Sequence, residues 1–235
     1  MESPLIGFVP LGLSHLVRDT AGLLGKGISK MERERSWSGR DGIAEMLGTK
    51  GSSCVEEVLA KGGTALEVGG GKMITARELS RKHPGGKLII VEPFVDQNDL
   101  ANLPENMKVV AKKLEEASDD IGAGSIDVAF SGGHVLNYVE DKLRFLEEVW
   151  RSLRAGGKAY IEFFGSPISP TMEQVMEKFG LRQSLNVTNL GGSIKVLEMT
   201  KRPGCRLSFG KYKLETSMAG NFPGDVNSVY QFVEE

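Results

Sequence analysis

Thr64-Ala-Leu-Glu-Val-Gly-Gly-Gly-Lys72 has the composition of a strand, a tight turn and the start of a helix. Glu67 places a carboxylate near the C-terminal tip of that predicted strand, and Gly69, Gly70 and Gly71 follow directly. Glycines at a strand-to-helix turn let the backbone approach a ligand closely. The helix N-terminus behind them offers unpaired N–H groups and a partial positive charge. Nucleotide-like ligands bind at such turns in open α/β sheets, so this segment predicts a ligand site.

A second predicted strand, Lys87-Leu-Ile-Ile-Val-Glu92, also ends in a carboxylate. Glu92 follows Gly69 by 23 residues. In dinucleotide-binding folds an acidic residue about 20 residues after the glycine turn binds the ribose. The chemical reason is that one carboxylate can accept two hydrogen bonds from vicinal hydroxyl groups. Glu92 is therefore a candidate ribose ligand.

Strands and helices alternate through most of the chain. Apolar periodicity predicts seven strands, at 64–68, 87–91, 107–111, 126–130, 158–164, 182–188 and 193–200. Helices are predicted at 72–82, after Asp141, and at 171–179, with Asn189-Leu-Gly-Gly192 as a hairpin turn near the end. The predicted fold is α/β and doubly wound: a mainly parallel seven-stranded sheet with an antiparallel C-terminal hairpin and a helical N-terminal cover.

Three regions are predicted along the chain. Residues 1–51 would form the helical cover or lid, and 52–200 the ligand-binding Rossmann-like domain. Residues 201–235 would form a C-terminal extension that could pack on the same domain. A separate helix is expected from Ser52 or Ser53 to Lys61, because Glu56 is spaced for a capping box with Ser53.

Two further segments complete a recognisable series. Ile126-Asp-Val-Ala-Phe-Ser131 ends the fourth predicted strand, and Leu153-Arg-Ala-Gly-Gly157 precedes the fifth. With the two carboxylate-ended strands described above, they resemble, in order, motifs of the class I S-adenosylmethionine-dependent methyltransferases. The resemblance covers roughly residues 52–200. Family members often have Gly where Met73 stands and Pro where Ala155 stands, and the acidic residue of their third motif is hard to place here.

The resemblance implies roles for particular residues toward S-adenosylmethionine. Glu67 would lie near the amino-acid end of the cofactor, and Glu92 would take the ribose hydroxyls. Pro93 and Phe94 would lie near the adenine, although Phe94 in the core is a competing interpretation. Glu115 is a candidate adenine-side acid, against a solvated charge pair with Glu116. The cofactor-binding candidates are Glu67, Gly69, Gly70, Gly71, Glu92, Pro93, Phe94, Glu115 and Ser131.

His134 is the candidate catalytic residue. It follows the fourth strand, where the transferred methyl group should face its acceptor. A neutral imidazole at that place could take a proton from the acceptor. The competing interpretation is a loop histidine that packs on the next helix.

Composition limits the classes of partner. A net charge of −2 argues against a large phosphate-binding surface, so a nucleic-acid partner is not expected. Only Cys54 and Cys205 are present, which indicates neither a disulfide framework nor a metal site and favours the cytoplasm. No apolar run approaches the roughly 18 residues of a spanning helix. Glu2 comes early and no basic segment precedes an apolar one, so the N-terminus is not expected to be a secretory signal. A homo-oligomer is compatible with these features.

The predicted function is methyl transfer from S-adenosylmethionine to an unidentified acceptor, with a small molecule as the first choice. Two alternatives stay open on the sequence. One is an oxidoreductase that binds a nicotinamide dinucleotide, although Ile74 stands where the third Gly of the dinucleotide fingerprint belongs. The other is a non-catalytic S-adenosylmethionine-binding scaffold that works through partners.

Overall fold

A computed structural model describes residues 42–133, 135–139, 141–164, 177, 179, 181, 183–191, 194–210, 212–217 and 229–234. Most of the predicted N-terminal cover therefore lies outside the described residues. The same holds for His134, for nearly all of the helix predicted at 171–179, and for residues 165–170.

The helices and strands follow the predicted alternation. In chain order they are α1 (Ile43–Ala60), β1 (Thr64–Val68), α2 (Ile74–Lys82), β2 (Lys87–Val91), α3 (Gln97–Leu100), β3 (Met107–Val110), a 3₁₀ turn (Leu114–Glu116), α4 (Ser118–Ile121), β4 (Ile126–Ser131), α5 (Val135–Tyr138), α6 (Lys142–Ser152), β5 (Leu153–Phe164), β6 (Leu185–Gly191), β7 (Ile194–Thr200), β8 (Tyr212–Ser217) and β9 (Val229–Glu234).

Seven strands form one mixed sheet in the order β3-β2-β1-β4-β5-β7-β6. The pairs from β3 to β5 are parallel, whereas β7 runs antiparallel to both β5 and β6. The prediction of a mainly parallel seven-stranded sheet with an antiparallel C-terminal hairpin is confirmed. The chain winds outward from β1 to β3 and then returns to begin β4 beside β1. The sheet therefore has its topological switch point between β1 and β4, where open α/β folds bind ligands.

Two apolar cores form on opposite faces of the sheet, because side chains alternate along each strand. Beneath α1 and α2 the core includes Leu59, Met73 and Phe130, each almost fully buried. Beneath α6 the second core includes Leu146 and Trp150. Burying each large apolar side chain contributes about 1.5–3 kcal/mol, so both faces hold their helices firmly.

One of the two predicted helix caps is present in the structure. Asp141 caps α6, because its Oδ1 accepts a hydrogen bond from the Arg144 N–H at 2.9 Å, as predicted. The capping box at Ser53 is wrong. Helix α1 spans Ile43–Ala60 and is kinked at Gly48 (φ +69°, ψ +170°). Ser52 and Ser53 therefore lie inside a helix and not at its start. Ser52 instead donates its hydroxyl to the Thr49 carbonyl at 3.1 Å. The predicted boundary between residues 51 and 52 also falls within this helix.

Strand β5 begins earlier than predicted, at Leu153 instead of residue 158. Ile126 pairs with Leu153, and Val128 pairs with Lys158, so the residues between Leu153 and Lys158 bulge from the ladder. Gly156 adopts φ +81° in this bulge. The expected turn is thus present as an irregularity within the strand.

The C-terminal part contains a second, two-stranded antiparallel sheet of β8 and β9. Before β8, the Trp150 indole N–H donates to the Cys205 carbonyl at 3.2 Å, and Phe209 is buried. Phe179 stacks edge-on against Phe209 and Tyr212, with ring centroids 5.0 and 5.5 Å apart. The Trp150 bond attaches Cys205 to α6, and the Phe179 ring joins Phe209 and Tyr212.

β6 is the last strand of the large sheet within the described residues. Its Leu185 is buried, but Asn186, Thr188 and Asn189 are exposed. None of the helices in the described parts of the chain is long and apolar enough to cross a membrane.

Candidate active site

The carboxyl ends of β1 and β2 lie side by side, because the two strands are parallel and in register. Val68 pairs with Val91, and the Gly69 N–H donates to the Val91 carbonyl at 2.8 Å. Glu92 continues β2 by one further ladder contact, donating its N–H to the Val110 carbonyl at 3.1 Å. The sequence therefore brings the glycine turn and Glu92 to one edge of the sheet.

The three glycines of the turn are required for different reasons. Gly69 has φ +78°, and a Cβ there would collide with the Val135 side chain. A Cβ on Gly70 would lie 2.7 Å from Ile90 Cγ2 and 3.3 Å from Glu67 Oε2. Gly71 has φ +51° but no atom within 4 Å of a built Cβ, so the backbone is open at this side. The turn thus combines a packed base with an open rim on which a ligand can approach the backbone.

Met73 ends the turn in a left-handed conformation, with φ +55° and ψ +29°. Its N–H donates to the Gly70 carbonyl at 2.7 Å, and its side chain is fully buried. Methyltransferases often have Gly at this position, and the positive φ supplies the physical reason, since Gly adopts it without steric cost.

Glu92 holds the two backbone turns together. Its Oε2 accepts from the Gly71 N–H at 3.0 Å, and its Oε1 accepts from the Phe94 N–H at 2.9 Å. The carboxyl group is buried, with 6% of the residue exposed. Charge-assisted bonds of this kind fix the carboxylate plane, so Glu92 presents its remaining lone pairs in a defined direction.

Glu67 is the most perturbed acid of the edge. Burial, and then the neighbouring charge of Glu92, raise the pKa of its carboxyl group to about 8. Its Oε2 is buried, and no hydrogen-bond donor reaches it from the described residues. A buried acceptor without a donor is rare in folded proteins and fits a site where a ligand supplies the donor.

The remaining predicted ligands lie around this edge. Phe94 is 43% exposed, so its interpretation as a core residue is wrong, and Pro93 beside it is also exposed. Ser131 is buried and donates its hydroxyl to the Val68 carbonyl at 2.9 Å, which ties β4 to β1. Glu115 lies in the 3₁₀ turn after β3, where partial burial raises its pKa, and Glu116 is exposed.

Asp127 lies at the start of β4, away from this edge. Its Oδ2 accepts from the Thr64 N–H at 2.7 Å, and its Oδ1 pairs with Arg154. Asp127 therefore links the amino-terminal ends of β1 and β4 to the bulge of β5.

Glu162 is a site-edge carboxylate that sequence reasoning missed. It lies on β5, is fully buried, and its Oε2 accepts from the Gly133 N–H at 2.7 Å. The available signal was an acid in the apolar run Tyr160-Ile-Glu-Phe-Phe164. Gly132, one residue earlier in the β4 loop, lies against Met46 of α1, because a Cβ on Gly132 would collide with the Met46 sulfur.

Comparisons with known proteins agree with this geometry. The family profile described as a methyltransferase domain matches residues 66–161, which contain the end of β1, the glycine turn, Glu92 and β4. The chain therefore contains a methyltransferase domain, and its fold is that of S-adenosylmethionine-dependent methyltransferases. No curated protein sequence matches it significantly.

Two solved structures show the same fold as this methyltransferase. One is the 1,6-didemethyltoxoflavin-N1-methyltransferase of Burkholderia thailandensis, with a TM-score of 0.57 and 16% identity over 83% of this chain and 93% of that one. The other is a TehB-like methyltransferase of Corynebacterium glutamicum, with a TM-score of 0.53 and 19% identity over 77% and 100%.

The cofactor of this methyltransferase is S-adenosylmethionine. The donor set at the sheet edge fits that molecule. An unsatisfied carboxyl oxygen on Glu67 suits an ammonium group, a second carboxylate on Glu92 suits vicinal hydroxyls, and the open backbone at Gly71 leaves room for the ligand. The domain match and the donor set favour the methyltransferase interpretation over the nicotinamide oxidoreductase. A non-catalytic scaffold would bind the same donor, so a measurement of methyl transfer separates it from the enzyme.

Proposed function

We propose that this methyltransferase acts on a small-molecule acceptor, and that Glu67, the glycine turn and Glu92 hold the methyl donor. The observation that carries the donor assignment is the unsatisfied, buried Glu67 carboxyl group beside a glycine turn that Glu92 fixes. The acidic balance of the chain, with a net charge of −2, supports an acceptor other than a nucleic acid. The fold relative from Burkholderia was crystallised with 1,6-didemethyltoxoflavin, which is a small molecule.

Each residue has a separate task in the proposed site. Glu67 accepts a hydrogen bond from the ammonium group of the donor, and the positive charge of that group lowers the pKa of the acid. Glu92 accepts from the ribose hydroxyls while keeping its bonds to the turn. Phe94 and Pro93 offer an exposed apolar surface for the adenine, and Glu115, in the 3₁₀ turn after β3, is the proposed adenine-side acid. Ser131 fixes the end of β4, because its hydroxyl donates to the Val68 carbonyl and not to the ligand.

The sulfonium of S-adenosylmethionine supplies an activated methyl group. The protein must therefore align the acceptor and exclude water, because proximity and orientation provide most of the rate. The acceptor is proposed to bind over the loop after β4, where Met46 of α1 packs on Gly132. His134, outside the described residues, is proposed as the base for an acceptor that must lose a proton.

The acceptor class is tested with a methyl-labelled donor. The purified chain is incubated with labelled S-adenosylmethionine and, separately, with total RNA, total protein and a small-metabolite fraction of a cell extract. We expect label in the metabolite fraction only. Boiled enzyme controls for spontaneous transfer. Label in RNA or protein would overturn the small-molecule proposal, and label in none would contradict the activity under these conditions.

A further inference from the structure

Glu162 occupies an unusual position for a carboxylate. Its strand neighbour Ile161 pairs with Ser131, so Glu162 lies one residue beyond the last β4 partner, at the site edge. Across the sheet it pairs with Val196 on β7, which is also buried. Burying a carboxylate costs several kcal/mol in general unless it is paired and hydrogen-bonded, so the groups that Glu162 bonds are held in place.

The loop after β4 is held at three points. Gly132 lies against Met46, Gly133 donates to Glu162 at 2.7 Å, and the Val135 side chain packs against Gly69. The first and third contacts are van der Waals packing. The Glu162 bond is the polar one, it is charge-assisted, and it fixes the direction of a peptide plane.

This loop connects the two halves of the proposed site. Val135 reaches the glycine turn of the donor side, whereas Gly132 reaches α1 on the acceptor side. A shift of the Gly133 peptide would therefore move the acceptor side relative to the methyl group. Displacements of about 1 Å can cost about 10²-fold in rate, because the reacting atoms must be aligned.

We propose that Glu162 is a positioning residue for methyl transfer, which sets the loop after β4 through its hydrogen bond to the Gly133 N–H. The location of the acceptor rests on the proposed function, but the bond itself does not. Glu162 acts through the backbone. The length of its side chain (its reach) and its acceptor oxygen should therefore affect the rate of methyl transfer more than its charge does.

Three substitutions separate reach from charge. Glu162→Gln keeps the length and an acceptor oxygen, Glu162→Asp keeps the charge but loses a methylene of reach, and Glu162→Ala loses both. Labelled transfer to the metabolite fraction should fall about 10²-fold in Glu162→Ala. It should stay within about fivefold of the parent in Glu162→Gln, since a neutral acceptor replaces a charged one. Glu162→Asp should fall between them, and S-adenosylhomocysteine affinity should change little in all three.

Glu198→Gln is the matched control. Glu198 is a buried acid on the same face of the sheet, pairs with Tyr160 on the neighbouring rung, and bonds Lys50 at 2.5 Å. It lies farther from the site edge, so its substitution should leave transfer unchanged. If Glu162→Asp transfers faster than Glu162→Gln, charge matters more than reach and the proposal is overturned. Full transfer by Glu162→Ala would overturn it as well.

A second readout needs no acceptor. Amide exchange measured by NMR should show the Gly133 N–H roughly tenfold or more less protected in Glu162→Ala, and near the parent value in Glu162→Gln. The Gly69 N–H, bonded to Val91, serves as the internal reference. Unchanged Gly133 protection in Glu162→Ala would refute the positioning role, even if no acceptor is found. Absence of transfer by the parent enzyme would instead count against the proposed function.

Discussion

Glu92 makes two backbone hydrogen bonds before any ligand arrives, to Gly71 and Phe94. Replacing it by Ala removes the proposed ribose contact and leaves the Gly71 and Phe94 N–H groups without their carboxylate. We expect Glu92→Ala to weaken S-adenosylhomocysteine binding by about 1–3 kcal/mol, the scale of charge-assisted bonds. Isothermal calorimetry measures the loss, with the exposed Glu105→Ala as control. Unchanged affinity on a folded variant would place the ribose contact elsewhere.

Glu67 links the stability of the empty protein to pH. Its pKa is raised from 4.5 to about 8 by burial and by Glu92. Between these two values the unfolded chain is ionised at this position while the folded chain keeps its proton. The folded state therefore binds more protons, and the free energy of unfolding falls as pH rises through this window, by up to about 1.4 kcal/mol per pH unit.

Glu67→Gln should remove that dependence. Urea unfolding of both proteins, without ligand, should show the variant gaining on the parent as pH rises from about 5 to about 8. Below the unfolded-state pKa, the difference in free energy of unfolding between variant and parent should be constant. Glu67 is then protonated in both the folded and the unfolded parent. A difference that does not change with pH would show that Glu67 titrates in its ordinary range.

At the scale of elements, backbone strain and side-chain burial have opposite effects on stability at Met73, at the start of α2. The left-handed backbone costs a non-glycine residue roughly 1–2 kcal/mol, but the fully buried side chain stabilises the core. Truncating a buried Met costs about 2–5 kcal/mol. Packing should therefore win, and Met73→Gly and Met73→Ala should both be destabilised.

The order of the two variants is the sharper prediction. Met73→Ala loses the packing and keeps the strain, so Met73→Gly should be the more stable variant by about 1 kcal/mol. At Ala76, buried inside the same helix, the usual order should hold, and Ala76→Gly should cost about 1 kcal/mol. Thermal unfolding of the three variants decides this. If Ala were preferred over Gly at position 73, the left-handed backbone would not be a source of strain.

Sequence patterns predicted the elements whose signals are local. β1, β2 and β4, α2 and α6 follow from apolar periodicity and from Asp141. The start of β5 was missed because Ala155-Gly-Gly157 has turn composition, and only pairing with β4 and β7 keeps the flanking residues in the strand. The separate helix predicted from Ser52 or Ser53 corresponds to the part of α1 after the non-helical Gly48, and only its start was misplaced.

The candidate site shows the same division between local and distant signals. Glu67 was predicted because it lies near the end of the strand that leads into the glycine turn. Glu92 was predicted because it ends the next strand along the chain. Glu162 was not, because its partner is a backbone N–H that lies 29 residues earlier in the chain. No side-chain pattern marks a peptide group as a partner, so this contact needs the register of β4 and β5.

At the scale of the whole molecule, the four parallel strands at the centre of the sheet gather the site on one edge. β2 and β1 carry the donor-side acids, and β4 and β5 carry the loop and Glu162. The switch point between β1 and β4 divides these two groups. In the proposed site, donor binding and acceptor positioning lie on opposite sides of this switch point, and the Val135 contact on Gly69 joins them.

β6 has a consequence for how the protein behaves in concentrated solution. Within the described residues, its outer backbone groups face no further strand, and such an edge can recruit a second chain. The exposed Asn186 and Thr188 are hydrated side chains that discourage this recruitment. Replacing both by Val should raise β-propensity and speed aggregation on mild heating, followed by light scattering. Equal turbidity in parent and variant would show that the β6 edge is shielded from other chains. The side chains on β6 would then have no effect on aggregation in a crowded solution.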